Sequence, residues 1–568
     1  MESRSHLLVE AGTGVGKSFA YLVPAIRRAV EHHETVIVAT NTIALQEQIV
    51  GKDVPLLEAA LAVSGWEGRL KAVLVKGRGN YLSIRRLQLA SDRALRLFAE
   101  DASRRSLEQV QHWAMETDDG TLSTLPVLER PGIWDRVQSD VNNCMGRKCP
   151  HHEACFYQEA RRRMEGANLL ICNHALFFSD LAMRAQHAGF LPTAHHVILD
   201  EAHNLEDVAS EHFGRSLSEG RVMHLLGQLY HARTGKGFLS QLGQGGLEGE
   251  TVERAMARVL DADDACRAYF DGLHRVSESD EVKNGRLRRA GMIENPLTDA
   301  MGRLAVLLRL MKEEVRSEED RYELNAYAIR AAAIADDAEA LVEQKDEACV
   351  YWADVSAGTR GARVTHAAAP VDVAPLLREH LFAKEFSVTL TSATLATRTV
   401  GEDESTEHGE TAFAHVIRRL GAEGASTLQL GSPFEYARQV RVFVDRTMST
   451  PGYGRPRPGQ VVFEDALTDR IVEHVDATDG GAFVLFTSFR MLHDVADRIR
   501  GHLAERSMPL LVQGRDGPRS QLLDRFRSND RSVLFGAASF WQGVDVRGDG
   551  LRNVIIARLP FEPPDRPL

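Results

Sequence analysis

Two separated stretches of this sequence carry residue types that handle phosphate. The first is Leu7-Leu8-Val9-Glu10-Ala11-Gly12-Thr13-Gly14-Val15-Gly16-Lys17-Ser18. A short apolar run, a glycine-rich turn and a helical pattern from about Ser18 follow one another in the P-loop order, with Ala11 where the simplest pattern has its first glycine. Gly12, Gly14 and Gly16 let backbone N–H groups close around phosphate oxygens, and the following helix points its positive end at them. Gly12, Thr13, Gly14, Val15, Gly16, Lys17 and Ser18 are therefore the expected nucleotide-binding residues. Lys17 would reach the β- and γ-phosphates, and the Ser18 hydroxyl would complete a Mg²⁺ shell.

The second stretch is His196-Val197-Ile198-Leu199-Asp200-Glu201-Ala202-His203. Here an apolar strand delivers two adjacent carboxylates to its C-terminal end, where ligands sit in open α/β sheets. Asp200 is placed to hold Mg²⁺ and Glu201 to orient or deprotonate a water. An isolated Asp-Glu pair more often starts a solvated helix. With a P-loop in the same chain it signals nucleotide triphosphate hydrolysis, with Lys17, Asp200, Glu201 and His203 as the expected catalytic set.

A third group is Cys144, Cys149 and Cys155, spaced C-x4-C-x5-C. That spacing can bring three thiolates around one soft metal centre. Cys172, Cys266 and Cys349 are scattered and read as core thiols. Six cysteines in 568 residues are too few for a disulfide framework and favour a reducing, cytoplasmic setting.

These residues need strands to position them. Val36–Ala39, Val197–Leu199, Val388–Leu390, Phe483–Phe486 and Val554–Ala557 are short apolar runs, each ending at a polar residue. Buried parallel strands read this way. Helical patterns separate them, so the expected class is α/β with doubly wound parallel sheets. The length calls for about three or four domains. A hydrophobic content of 43% and charged content of 26% describe an ordinary globular chain, without an apolar run long enough for a membrane helix. The net charge of −12 leaves room only for a local positive track. Lys76 to Arg105 is basic, as is Arg161-Arg162-Arg163, although solvated helix faces are the commoner meaning of such runs.

Asp200-Glu201-Ala202-His203 is the DEAH form of this carboxylate motif, and the chain resembles superfamily 2 helicases of the XPD/DinG-like branch. Val36 to Gln48 looks like motif Ia, Lys76 to Leu82 like the entry to an iron–sulfur domain, and Val388 to Leu395 like motif III. Gly431 to Phe434 is similar to the opening of the second motor domain, Phe483 to Phe489 to motif IV, and Ser539 to Asp545 to motif V. The matches run in order along nearly the whole chain. The resemblance implies two RecA-like motor domains that close on ATP, with an iron–sulfur-type insertion and a helical Arch insertion. It further implies that Thr391, Ser392 and Thr394 couple closure to DNA, and that Gly543 and Asp545 face the nucleotide and the strand.

On that pattern residues 1–78, 166–206 and 385–430 form the first motor domain, 79–165 the iron–sulfur-type insertion, 207–384 the Arch and 431–568 the second motor domain. The family holds a [4Fe-4S] cluster with four cysteines, and Ser83 stands at the first position here. Three readings stay open: a cluster with Ser83 oxygen or water as fourth ligand, zinc on the three cysteines with His151 or His152, or packed cysteines without metal. Leu169 to Leu176 resembles the family's strand ending in Asn-His, which leaves Asn173 and His174 either near the DNA path or structural.

The implied activity is an ATP-dependent DNA helicase moving 5′ to 3′ on single-stranded DNA as a monomer, acting at duplex junctions, R-loops or repair intermediates. Stacking and phosphate contacts give such a binder little sequence preference. A nuclease reading finds no separate cluster of acidic metal ligands. The chain reads as truncated at both ends, without the arginine-bearing motif VI, so that as written it is expected to bind ATP poorly and hydrolyse it slowly. The reading from another class is thus a catalytically impaired DNA-binding scaffold.

Overall fold

The computed structural model describes residues 1, 5–62, 70–98, 100–185, 188–242, 248–358, 361–397, 406–448, 463–541, 544, 546 and 548–561. One compact unit covers Met1–Pro433 and a second Phe434–Pro564.

The first unit contains β1 (Leu7–Ala11), β2 (Val36–Thr40), β3 (Ala72–Leu74), β4 (Leu169–Asn173) and β5 (His196–Asp200). It continues with β6 (Arg215–Ser218), β7 (Cys349–Gly358), β8 (Gly361–Pro370), β9 (Ser387–Ser392) and β10 (Ser426–Leu430). Seven of these make a parallel sheet in the order β10-β1-β9-β5-β2-β4-β3. The period of two in a strand sends Ile37, Ala39, Leu170 and Cys172 to one face. Val36, Val38, Leu169 and Ile171 go to the other, against Leu22, Ile26 and Val30 of the helix Lys17–Glu31. Both faces are covered, which explains why these strands read as continuous apolar runs rather than as alternating ones.

Sheet order decides function here. β9 lies between β1 and β5, and the register pairs Glu10 with Ser392 and Asp200 with Thr391. The ends of the P-loop strand, the DEAH strand and the strand between them therefore meet at one carboxyl edge.

Between β3 and β4 a small helical region packs Leu87, Leu107, Val110, Trp113, Trp134 and Val137 together. Its basic residues do not all form a solvated face. Arg85 and Arg86 are each 4% exposed. Arg85 donates to the Asn143 carbonyl at 2.8 Å and Arg86 to the Asp135 carbonyl at 3.1 Å. Arg93 pairs with Asp320 at 2.6 Å. A buried arginine must be paired, and these residues spend their charge on structure. The triplet Arg161, Arg162 and Arg163 does stay outside, in pairs with Glu159 and Glu165.

The long helices Gly249–Ser277, Pro296–Glu314 and Glu318–Glu343 share one core with β6, β7 and β8. Those strands form an antiparallel sheet in the order β6-β8-β7. The sequence pattern of this region predicts only its helices. Its hairpin, Cys349 to Pro370, is rich in alanine and polar residues, which blunts the strand signal.

The second unit carries β11 (Ala482–Phe486), β12 (Leu510–Val512), β13 (Val533–Ala537) and β14 (Asn553–Ile556). These pair in parallel in the order β12-β13-β11-β14. Helices Phe463–Ala477 and Phe489–Glu505 cover one face with Leu467, Ile471, Val495 and Ile499. Both parallel sheets are those the sequence predicts.

Candidate active site

Gly14 and Gly16 have φ of +82° and +79°, a left-handed backbone that costs glycine nothing, and Gly16 caps the helix that starts at Lys17. Gly12 is tight for space instead, because a Cβ there would stand 3.2 Å from the Ser432 Cα and Cβ. The turn thus exposes backbone N–H groups at a helix N-terminus, a ready anion site.

The DEAH carboxylates face this turn. Lys17 Nζ lies 3.5 Å from Glu201 Oε1. Glu201 itself has φ 55° and ψ 47°, a conformation that costs a non-glycine residue about 1–3 kcal/mol. Its N–H donates to Asp200 Oδ1 at 3.0 Å, which helps hold that turn. Asp200 is buried, and burial first, then the neighbouring Glu201 carboxylate, push its carboxyl up to about 6. A buried carboxyl beside a second one gains most from a divalent cation, and Mg²⁺ sites of this type need few protein ligands. Asp200 fits that requirement. The Tyr21 hydroxyl donates to Asp200 Oδ2 at 3.1 Å and so orients it.

His203 Nδ1 lies 2.7 Å from Ser392 Oγ and 3.5 Å from Glu201 Oε2. Thr394 N–H donates to the same Ser392 oxygen at 3.4 Å. Lys17, Asp200, Glu201, His203 and Ser392, which span most of the sequence, are brought into one cluster. Asn173 Oδ1 accepts the Leu176 N–H at 2.8 Å and caps the helix behind it, a structural task. His174 is buried, and burial lowers its imidazole to about 4. Gly543 and Asp545 lie outside the described residues.

Sequence reasoning passed over Glu10 and Tyr21. Both left a signal. Glu10 is a charge inside an apolar strand, and Tyr21 lies one helical turn after Lys17, on the same face.

Ser83, Cys144, Cys149 and Cys155 line one small cavity of about 30 Å³, together with His152, Arg78 and Arg85. Ser83 Oγ accepts the Arg86 N–H at 3.4 Å as a helix cap. Three cysteines and a serine around one cavity suit a soft metal centre in chemical type. Among the described residues, however, no three His, Cys, Asp or Glu side chains stand close enough together to form a ready metal site. Cys172 and Cys266 are buried in the core, as expected, and Cys349 is half-buried.

Comparison with known proteins gives this geometry its context. The DEAD/DEAH box helicase model matches residues 1–71, the DEAD_2 model 136–222 and the Helicase C-terminal domain model 471–568. The ATP-dependent DNA helicase YoaA of Escherichia coli is 33% identical over 575 residues, covering 100% of this chain and 81% of its own length. The chain belongs to the YoaA/DinG family of ATP-dependent DNA helicases. A second member, the ATP-dependent helicase DinG of Mycobacterium tuberculosis, is 31% identical over 100% of this chain and 80% of its own. The solved structure of S. tokodaii Xpd4 aligns with 99% of this chain and 80% of its own at 11% identity and a TM-score of 0.45. Membership in the YoaA/DinG family makes this protein an ATP-dependent DNA helicase, with ATP, Mg²⁺ and DNA as the associated ligands. None of the described helices is long and apolar enough to cross a membrane.

Proposed function

We propose that ATP binds on Gly12, Thr13, Gly14, Val15, Gly16, Lys17 and Ser18, and that its hydrolysis drives 5′ to 3′ movement along single-stranded DNA. The convergence of Lys17, Asp200, Glu201, His203 and Ser392 at one sheet edge carries this reading. Lys17 neutralises and orients the terminal phosphates, and Glu201 holds the attacking water and takes its proton. Ser18 and Asp200 would hold Mg²⁺, which would supply charge neutralisation at the phosphates. Tyr21 keeps Asp200 aimed, and His203 links the carboxylates to Ser392. Polarity and the preference for duplex junctions, R-loops or repair intermediates come from the XPD/DinG resemblance. The full-length protein with ATP is expected to unwind a duplex bearing a 5′ single-stranded tail at least tenfold faster than one bearing a 3′ tail. The opposite preference would refute the polarity.

We further propose that residues 79–165 hold a [4Fe-4S] cluster on Cys144, Cys149 and Cys155, with Ser83 at the fourth position. The C-x4-C-x5-C spacing and the XPD/DinG resemblance support this. An alkoxide is a poorer ligand for a soft metal than a thiolate, so such a cluster is labile. Anaerobic purification is expected to yield about four iron and four sulfide per chain, and Ser83→Cys to slow their loss in air. Zinc in place of iron, or neither metal, would sink the cluster reading.

A further inference from the structure

A carboxylate in an otherwise apolar, half-buried strand gains most from strong donors. Glu10, the residue before the end of β1, has three. Its Oε2 accepts the backbone N–H groups of Leu395 at 2.6 Å and Ala396 at 2.7 Å. Its Oε1 accepts the side-chain amide of Gln429, on β10, at 2.6 Å. Bonds this short to an ionised oxygen are charge-assisted and hold direction as well as distance.

The donors identify what is being held. Leu395 and Ala396 belong to the loop that leaves β9, and the same loop is bonded through Ser392 to His203. The loop is therefore fastened at two points, one to the DEAH segment and one to the strand that ends in the phosphate-binding turn. Gly12 follows Glu10 by two residues, so a displacement of the turn that carries β1 with it reaches the loop through the Glu10 side chain as well as through the β1–β9 ladder. A helicase must convey its nucleotide state beyond the phosphate-binding turn, and this loop is bonded to both halves of the nucleotide site.

We propose that Glu10 is a positioning residue that ties the Ser392–Thr397 loop to the phosphate-binding strand, so that nucleotide occupancy sets the affinity for single-stranded DNA. The proposal rests on the nucleotide site described above. Coupling between two ligands is reciprocal and is read as the ratio of DNA affinities with and without nucleotide.

The test uses the full-length protein, a non-hydrolysable ATP analogue and a fluorescent oligothymidylate, with wild type, Glu10→Ala and Glu10→Gln. Hydrogen–deuterium exchange is followed in the peptide containing Leu395 and Ala396. In Glu10→Ala exchange there is expected to rise roughly tenfold or more, and the affinity ratio to collapse toward one. Glu10→Gln keeps the shape and one acceptor oxygen, and should restore part of both; this arm stands even if the alanine variant folds poorly. A purely structural Glu10 would lower thermal stability while leaving the affinity ratio at its wild-type value, and that result overturns the proposal. So does unchanged exchange in both variants. Failure of the wild type to bind the analogue would sink the nucleotide-site reading and the Glu10 proposal with it, and it shows in the wild-type arm alone.

Discussion

Replacing Glu201 by glutamine is expected to slow ATP hydrolysis by the full-length protein by about 10²–10⁴-fold, the usual contribution of a positioned general base. The amide keeps the length of the side chain and can still accept a hydrogen bond from Lys17, 3.5 Å away. It cannot take a proton from water. Nucleotide binding rests on the backbone of the turn at Gly12 to Gly16 and on Lys17, so it should survive. The left-handed backbone at position 201 is no harder for glutamine than for glutamate, so folding is not at issue. Single-turnover hydrolysis beside equilibrium binding of a fluorescent nucleotide separates the two effects. A loss below about threefold would remove Glu201 from the proposed role.

Acid should unfold the helical region around β7 and β8 early, through His366. This imidazole is buried, with Tyr269 Oη 2.6 Å from its Nδ1 and its Nε2 without a hydrogen-bond partner. Burial pushes it down to about 4 from an ordinary value near 6.5. The unfolded chain therefore binds a proton that the folded chain resists. The stabilisation is complete above pH 6.5 and is lost as pH falls from there toward 4, a change on the order of 3 kcal/mol. Other buried imidazoles titrate in the same window, so the informative quantity is a difference. Urea unfolding of wild type and His366→Gln at pH 7.5 and pH 4.5 should show a steeper acid loss in the wild type. Parallel acid losses in the two proteins would mean that His366 is hydrated or already charged when folded.

The strands β2, β5 and β11 were legible because strands buried on both faces need apolar residues at nearly every position, whereas the equally apolar β14 has Val554 and Ile556 half-exposed. The phosphate-binding turn was legible because its glycines obey a local backbone constraint at Gly14 and Gly16. The strands β7 and β8 were not, since alanine and polar residues there are tolerated by helix and strand alike and only the partner strand decides. The basic run from Lys76 to Arg105 was ambiguous for a related reason. Charge is visible in a sequence, but the carbonyls that bury Arg85 and Arg86 lie about fifty residues downstream.

By itself the sequence determined the chemistry on offer: a phosphate cradle, a lysine, a hydroxyl, a carboxylate pair and a cysteine group, each set by short-range spacing. Tertiary structure decided which of them meet. The order β10-β1-β9-β5 places the loop after β9 between the P-loop strand and the DEAH strand. It gives Glu10 its partners 385 and 386 residues away and Tyr21 its hold on Asp200. Those contacts depend on strand order and on charge burial, which are properties of the assembled sheet and have no period along the chain.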